Sequence, residues 1–145
     1  MIPIQYNILA VDPGNQKCGL AVTDDQGTVL KKMVAPAEKL VEIVGDLCRE
    51  FSITVIVLGD RTHSKEVRSR LKLFNLPIES IDENRSSVEG RYRYLKENTI
   101  GLAKLLPIGL RTPKHPYDDY VAVVLAERFL KKHPNYFTMD PRVLA

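Results

Sequence analysis

Three points along the chain put carboxylates where apolar packing would otherwise continue. Asp12 ends the run "QYNILAVD", Asp82 and Glu83 end "LPIESIDE", and Asp118 and Asp119 open "YDDYVAVVLAERFLKK". Converging carboxylates repel one another unless cations neutralise them, and hard oxygen donors suit Mg²⁺ or Mn²⁺. Two such ions, roughly 3.5–4 Å apart, stabilise the attacking and leaving oxygens of a phosphodiester displacement. The chemistry within reach of these side chains is therefore metal-assisted hydrolysis of a phosphodiester. Each acid also has a purely local use: Asp12 before Pro-Gly can bond its own turn, Asp82 and Glu83 can be an exposed strand end, and Asp118 and Asp119 suit any helix N-terminus. What joins them is a shared expected location, at the carboxyl edge of a sheet, where ligand sites of open α/β sheets form.

Periodicity does not choose within the pairs. Ile81 and Glu83 share one strand face and Asp82 takes the other. Asp118 lies on a helical stripe with Ala122, Leu125 and Phe129, and Asp119 on one with Val123, Ala126 and Leu130. Cations surround the acids in sequence. Lys17 stands in the turn after Asp12, Arg61 leads a basic run with Lys65, Arg68, Arg70 and Lys72, and Arg85, Arg91, Arg93 and Lys96 interleave with Tyr92 and Tyr94. Such runs suit contacts to backbone phosphates as well as solvated helix faces. His63, His115 and His133 lack metal-ligand spacing, and neither a Ser-His-Asp or Cys-His arrangement nor a phosphate-binding glycine loop is visible.

The elements that must position these residues follow from hydrophobic period. Runs 5–12, 18–24 and 28–35 read as strands, with "DDQG" as a hairpin between the second and third. Leu40, Ile43, Val44, Leu47 and Phe51 recur at helical spacing, predicting a helix over 36–51 with Pro36 in its first turn. "ITVIVLG" (53–59) is a continuous β-branched run suited to a buried parallel strand. A basic helix over 64–74, a strand over 76–83 and a helix from Ser86 to 98 follow, the last with Ser86 and Glu89 in capping-box spacing. Residues 99–116, with three prolines and two glycines, read as loop, 117–132 as a strong helix, and the tail from His133 carries too little pattern to assign. The order β-β-β-α-β-α-β-α-α predicts an α/β sandwich whose fourth and fifth strands lie parallel to the first.

Bulk properties are consistent with one domain spanning residues 1–145, large enough to bury roughly 70% of its unfolded surface. No apolar run reaches membrane-spanning length, and "MIPIQYNILAVD" lacks the charged region and cleavage site of a leader, so a cytoplasmic protein without a membrane partner is expected. Cys18 and Cys48 sit in apolar patterns and read as small buried residues. Residues 1–60 carry five Lys/Arg against eight Asp/Glu, and residues 61–145 sixteen against ten, giving −3 and +6. A basic C-terminal half is compatible with a polyanionic partner.

Taken together, "VDPGNQKCGLAV", "DENRSSVEGR" and "DDYVAVVLAERFL" resemble the YqgF/RuvX family, relatives of the RuvC Holliday-junction resolvases in the ribonuclease H-like superfamily. The resemblance runs in order to about Leu130. Asp12, Gly14, Lys17, Gly19 and Ala21 fit the first motif, with Gln16 where a lysine is usual. Asp82, Glu83 and Ser86 fit the second, with Asn84, Ser87 and Gly90 replacing Arg, Thr and Ala. In the third, matching Glu127 and Phe129 places the family aspartate on Asp118. The usual Gly-Leu-Pro after the fourth strand is "GDRT" here. The resemblance implies a ribonuclease H-like mixed five-stranded sheet of order 3-2-1-4-5, strand 2 antiparallel, flanked by helices. It implies a Mg²⁺- or Mn²⁺-dependent nuclease using two ions, with Asp12, Glu83 and Asp118 as catalytic ligands and Asp119 as a neighbouring metal contact. Lys17, Arg61, Arg85 and Arg91 are the expected substrate contacts. The expected partner is nucleic acid: structured RNA such as the 5′ end of the small-subunit rRNA precursor, with branched DNA as the alternative, and the expected state a monomer or weak homodimer. Two other classes remain: a nucleic-acid-binding module without catalysis, and a nucleotide-phosphate fold of the sugar-kinase type, which needs two such domains.

Overall fold

The structure is a computed structural model and describes residues 5–61, 63–113 and 115–139. The first four residues, read above for a leader, and residues 140–145 of the tail lie outside the described residues. Five strands, β1 (Asn7–Asp12), β2 (Lys17–Asp24), β3 (Val29–Pro36), β4 (Ile53–Gly59) and β5 (Ile78–Ile81), form one sheet in the order β3-β2-β1-β4-β5. β2 runs antiparallel to β1 and β3, while β4 lies parallel to both β1 and β5. This is the predicted ribonuclease H-like sheet. Among the described residues four α-helices accompany it: α1 (Leu40–Glu50), α2 (Ser64–Leu71), α3 (Ser86–Asn98) and α4 (Asp118–Lys132). Among the described residues no helix is long and apolar enough to cross a membrane.

Strand parity divides the core. Leu9, Val11, Leu20, Val22, Ile56 and Leu58 face a layer built from Leu40, Val44 and Leu47 of α1 and Val67 and Leu71 of α2. Ile8, Ala10, Ala21, Val55 and Val57 face the other way, onto Ala122, Leu125, Ala126 and Phe129 of α4. β1 and β4 are covered on both sides, which is why they read as unbroken apolar runs. Both cysteines are free, Cys18 buried and Cys48 partly so.

The boundaries move where a local signal competes with a tertiary bond. Pro36 does not open a helix; it closes β3 opposite Lys17, and the next N–H, of Ala37, donates to the Gln16 carbonyl at 2.9 Å, extending the hairpin. A short 3-10 turn over Ala37–Lys39 then leads into α1. α2 stops at Leu71 and passes through a 3-10 turn to Asn75, whose φ of 55° ends it. β5 is four residues rather than eight, so Asp82 and Glu83 lie just past its end. The capping box is not formed either. Ser86 donates its hydroxyl back to the Glu83 carbonyl at 2.7 Å, Glu89 accepts from Arg128, and the N-cap is Arg85 in a left-handed conformation. The unassigned tail packs: Tyr136 meets Phe129 edge-on at 5.0 Å, and Phe137 stacks on Tyr6 at 4.9 Å, sealing the lower end of the α4 layer.

α3 joins α4 by close approach. A Cβ added at Gly90 would stand 2.6 Å from Val121 Cγ2 and 2.9 Å from Val121 N, so the helices meet backbone to side chain there. Around this contact Arg93 makes a two-armed pair with Glu127, and Tyr94 packs edge-on against Tyr120 at 5.6 Å. Replacing a mid-helix glycine by alanine ordinarily stabilises by about 0.5–1 kcal/mol. Here the sign reverses: Gly90→Ala is expected to destabilise by about 1–3 kcal/mol, as overpacked contacts do, read as a lower denaturation midpoint in urea.

Candidate functional site

One row of residues crosses the sheet at the carboxyl end of β1. Asp12 pairs with Gly19 of β2, and Gly59 of β4 lies one step past Leu58, the partner of Val11. Asp12 continues the parity of Ile8 and Ala10, so it lies on the face that α4 covers. The two glycines flanking it are where the neighbouring acidic residues approach. A Cβ at Gly19 would collide with the Asp118 carbonyl, which lets the first turn of α4 settle against β2. A Cβ at Gly59 would stand 2.5 Å from Glu83 Oε2, so the missing side chain is the space the Glu83 carboxylate fills. Glycine at a strand end marking a close approach is a readable signal, and "ITVIVLG" carried it; Gly59 was nonetheless not singled out from the sequence.

The chain after β5 is tied down to hold Glu83 there. Glu83 Oε2 accepts from the Arg61 N–H at 2.7 Å, and the Glu83 N–H donates to Asp60 Oδ1 at 3.3 Å. Arg61 Nη2 donates to Asn84 Oδ1 at 2.9 Å, clamping the β4–α2 turn to the β5–α3 turn. Asp82 is exposed and closes its own turn by accepting from the Asn84 N–H at 2.8 Å. The geometry separates the pair that periodicity left open: Glu83 enters the row and Asp82 does not.

Asp118 and Asp119 are separated in the same way. Adjacent helical residues differ by about 100° around the axis. Asp118 faces Lys17, with Oδ2 at 3.7 Å from Nζ. Asp119 is turned to β3, where it pairs with Lys32 at 3.3 Å while Lys32 Nζ lies 4.1 Å from the centre of the Tyr120 ring. Burial alone would lower the Lys32 pKa, but the Asp119 carboxylate outweighs it and the net shift is upward. Asp119 thus anchors α4 to β3 rather than joining the acid row. Neither this ion pair nor the role of Lys32 was visible in the sequence, since 87 residues separate the partners.

Asp12 records the crowding. Burial, then the Glu83 and Asp118 carboxylates, then a hydrogen bond with Glu83, push its carboxyl from 3.8 to about 8. The shift favours the protonated form of Asp12, because two carboxyl groups in contact do not readily ionise together. Among the described residues no three Asp, Glu, His or Cys side chains are gathered closely enough to form a ready metal-ligand set. The donor chemistry nevertheless fits a hard divalent cation: two carboxyl groups already in contact, and a third whose charge Asp12 senses.

The remaining cations fall into two groups. Lys17 and Arg61 flank the row beside Asp118 and Glu83, and exposed Arg85 stands at the head of α3. Four further arginines are engaged elsewhere. Arg91 donates to the Arg111 carbonyl, Arg93 to Glu127, Arg68 to the Ile78 carbonyl at the open edge of β5, and Arg70 to the Ala37 carbonyl. Of the four arginine and lysine contacts expected for substrate, Arg91 holds a loop and Arg61 clamps two turns, while Lys17 pairs with Asp118.

No family model matches the sequence, and no curated protein matches it. Solved structures do match. T. thermophilus RuvC in complex with a Holliday junction substrate superposes with a TM-score of 0.56 at 13% identity, covering 92% of this chain and 96% of that one. A second Thermus thermophilus RuvC structure gives 0.56 at 12% identity, over 88% and 96%. The fowlpox virus resolvase in complex with Holliday junction DNA gives 0.56 at 13%, over 87% and 97%. The likeness is one of fold.

The crowding sets a stability prediction. Between pH 4 and 8 folding takes up the Asp12 proton, so stability falls as pH rises through that window and the loss is complete above about pH 8. Asp12→Asn abolishes this slope and should be more stable than the parent at pH 8, by on the order of 5 kcal/mol, and nearly equal to it at pH 4. Gly59→Ala, by pushing Glu83 out of the row, should flatten the same profile. Chemical denaturation across pH measures both.

Proposed function

We propose that this chain is a divalent-metal-dependent phosphodiesterase that cuts the backbone of structured nucleic acid. The observation that carries the reading is the Asp12 carboxyl pressed against Glu83 and within the field of Asp118, at the carboxyl edge of a ribonuclease H-like sheet. Such crowding of like charge lowers stability, and functional sites are where such costs are retained. The neighbouring folds supply the class of substrate: RuvC and the fowlpox resolvase are described with Holliday junctions.

Asp12, Glu83 and Asp118 would hold Mg²⁺ or Mn²⁺, two ions in the reading preferred here. Bound ions supply charge for the phosphodiester oxygens and acidify the water that attacks. The chain's own residues do the rest. Asp12 would have to be ionised to act as a donor, and a bound cation would favour that form. Gly19 and Gly59 leave room beside Asp12 for the first turn of α4 and for the Glu83 carboxylate. Lys17 and Arg61, one on each flank, offer cations to the phosphates on either side of the scissile bond, and Arg85 extends that line along the head of α3. Asp119 stays with Lys32 and fixes the position of the α4 N-terminus.

Structured RNA, with 5′-end maturation of the small-subunit rRNA precursor as the favoured instance, follows from the sequence resemblance to the YqgF/RuvX family. Branched DNA is the second reading, favoured by the junction-bound neighbours. The discriminating experiment offers the protein a hairpin-containing RNA and a four-way DNA junction, each with Mg²⁺ or Mn²⁺. Cleavage of one is expected. Asp12→Asn should slow it by more than the ~100-fold that loss of an outer-shell partner costs, while Asp119→Asn should leave the rate within about threefold. Equal rates for the parent and Asp12→Asn would remove the assignment. Salt-dependent binding without cleavage in any divalent cation would establish the non-catalytic binding module instead.

A further inference from the structure

The segment joining α3 to α4 carries features the acid row does not use. From Thr99 to Tyr117 the sequence holds Lys104, Arg111 and Lys114 and neither Asp nor Glu. Two 3-10 turns, Gly101–Leu105 and Ile108–Leu110, shape it and leave Leu102 84% and Leu105 81% exposed. An apolar ridge on a cationic, acid-free segment suits a partner that is both apolar and anionic. Two copies of this chain meeting there would bring the same cations face to face, because a two-fold interface pairs each patch with itself.

Beside the ridge is a cavity of about 290 Å³, between the C-terminal turn of α3 and this segment, lined by Tyr94, Asn98, Ile100, Arg111 and His115 among others. That volume is at the lower limit of small-ligand pockets, enough for one ring system. Its walls are braced from behind. Tyr94 packs edge-on against Tyr120, its hydroxyl accepts from the His115 N–H at 3.2 Å, and Arg111 donates to the Leu106 and Lys104 carbonyls at 3.0 and 2.9 Å. An aromatic ring, an imidazole and a guanidinium are thus among the lining groups, and each is of a kind on which a base can stack. The cavity is also next to the acid row: His115 precedes Asp118 by three residues, so their Cα atoms are at most about 10 Å apart.

We propose that this cavity receives one unpaired nucleobase of the strand whose backbone crosses the acid row, with Leu102 and Leu105 packing against the stack the base has left. The proposal rests on the phosphodiesterase reading and deepens it: the substrate it specifies has an unpaired base close to the cut. Apolar side chains that fill disrupted base steps are an established way of binding distorted nucleic acid.

The test uses the Asp12→Asn protein, which separates binding from cleavage. The probes are hairpins, in RNA and DNA versions, carrying one bulged 2-aminopurine, an abasic residue at the same position, or no bulge. The bulged probe should bind best, with a change in 2-aminopurine fluorescence, and the abasic probe should bind roughly tenfold more weakly. His115→Ala, and separately Leu102→Ser with Leu105→Ser, should impose the same loss on the bulged probe and none on the abasic or unbulged ones. These side chains are exposed, and the His115 bond to Tyr94 uses the backbone, so folding is unaffected; thermal melts check this. Equal affinity of parent and variants for all three probes overturns the cavity assignment and leaves the phosphodiesterase reading standing, provided the parent cleaves. Loss of a dimer, or of anionic-vesicle binding, in the leucine variant without a base-dependent change overturns it in favour of those occupants. Failure of the protein to bind any nucleic acid removes both readings together.

Discussion

Crowding of like charge at the end of β1 is the constraint on which the rest of the molecule turns. Asp12 is placed by the central, doubly covered strand, which cannot shift its register without exposing one core face or the other. On either side of it the sheet offers glycine, and through these gaps the Asp118 backbone approaches over Gly19 and the Glu83 carboxylate over Gly59. The result is a carboxyl held far from its ordinary ionisation. Ample apolar burial offsets this unfavourable arrangement. Leu125 and Phe129 of α4 are fully buried on the sheet, each stabilising by about 1.5–3 kcal/mol.

The helices serve that edge in different ways. α4 brings Asp118 in and uses Asp119, through Lys32, to fix its own first turn to β3. α3 does not enter the row, but its contact at Gly90 sets the position of α4, and its Arg91 holds the segment leading to Asp118 by the Arg111 carbonyl. The turns after β4 and β5 are clasped by Arg61, whose backbone holds Glu83 and whose side chain holds Asn84. The acid row therefore draws on four separate stretches of chain, with Asp12 coming from the acidic first half and Glu83 and Asp118 from the basic second half. Under the proposed function, that asymmetry puts the acidic centre within a cationic rim, which favours approach of a polyanion without filling the centre with lysine or arginine.

Much of this fold was legible because its signals are local and strong. Strand parity, the unbroken run "ITVIVLG" and the spacing of Leu40, Val44 and Leu47 reflect periods that any packed sheet and helix must show. Signals that failed were those a neighbour could outbid. Pro36 suits a helix start, but the hairpin claims it because Ala37 can bond Gln16 across the turn. Ser86 and Glu89 suit a capping box, but the Glu83 carbonyl and Arg128 offer each a better partner. The aromatic tail has no period because it packs as individual rings against Tyr6 and Phe129, not as an element.

By itself the sequence determined the order and type of the elements, the strand that must be central, and the three places where acids interrupt apolar segments, because burial patterns are written along the chain. It could not say which member of each acidic pair faces Asp12. That choice depends on a 100° step around α4 and on a turn beyond β5, and both are set by partners far away in sequence, Lys32 for Asp119 and Arg61 for Glu83. The same holds for the raised Asp12 carboxyl, which results from burial together with the charges of Glu83 and Asp118, carried in from distant segments. Strand register, glycine gaps and the packing of α4 decide that meeting, and they come into being only when the chain has folded.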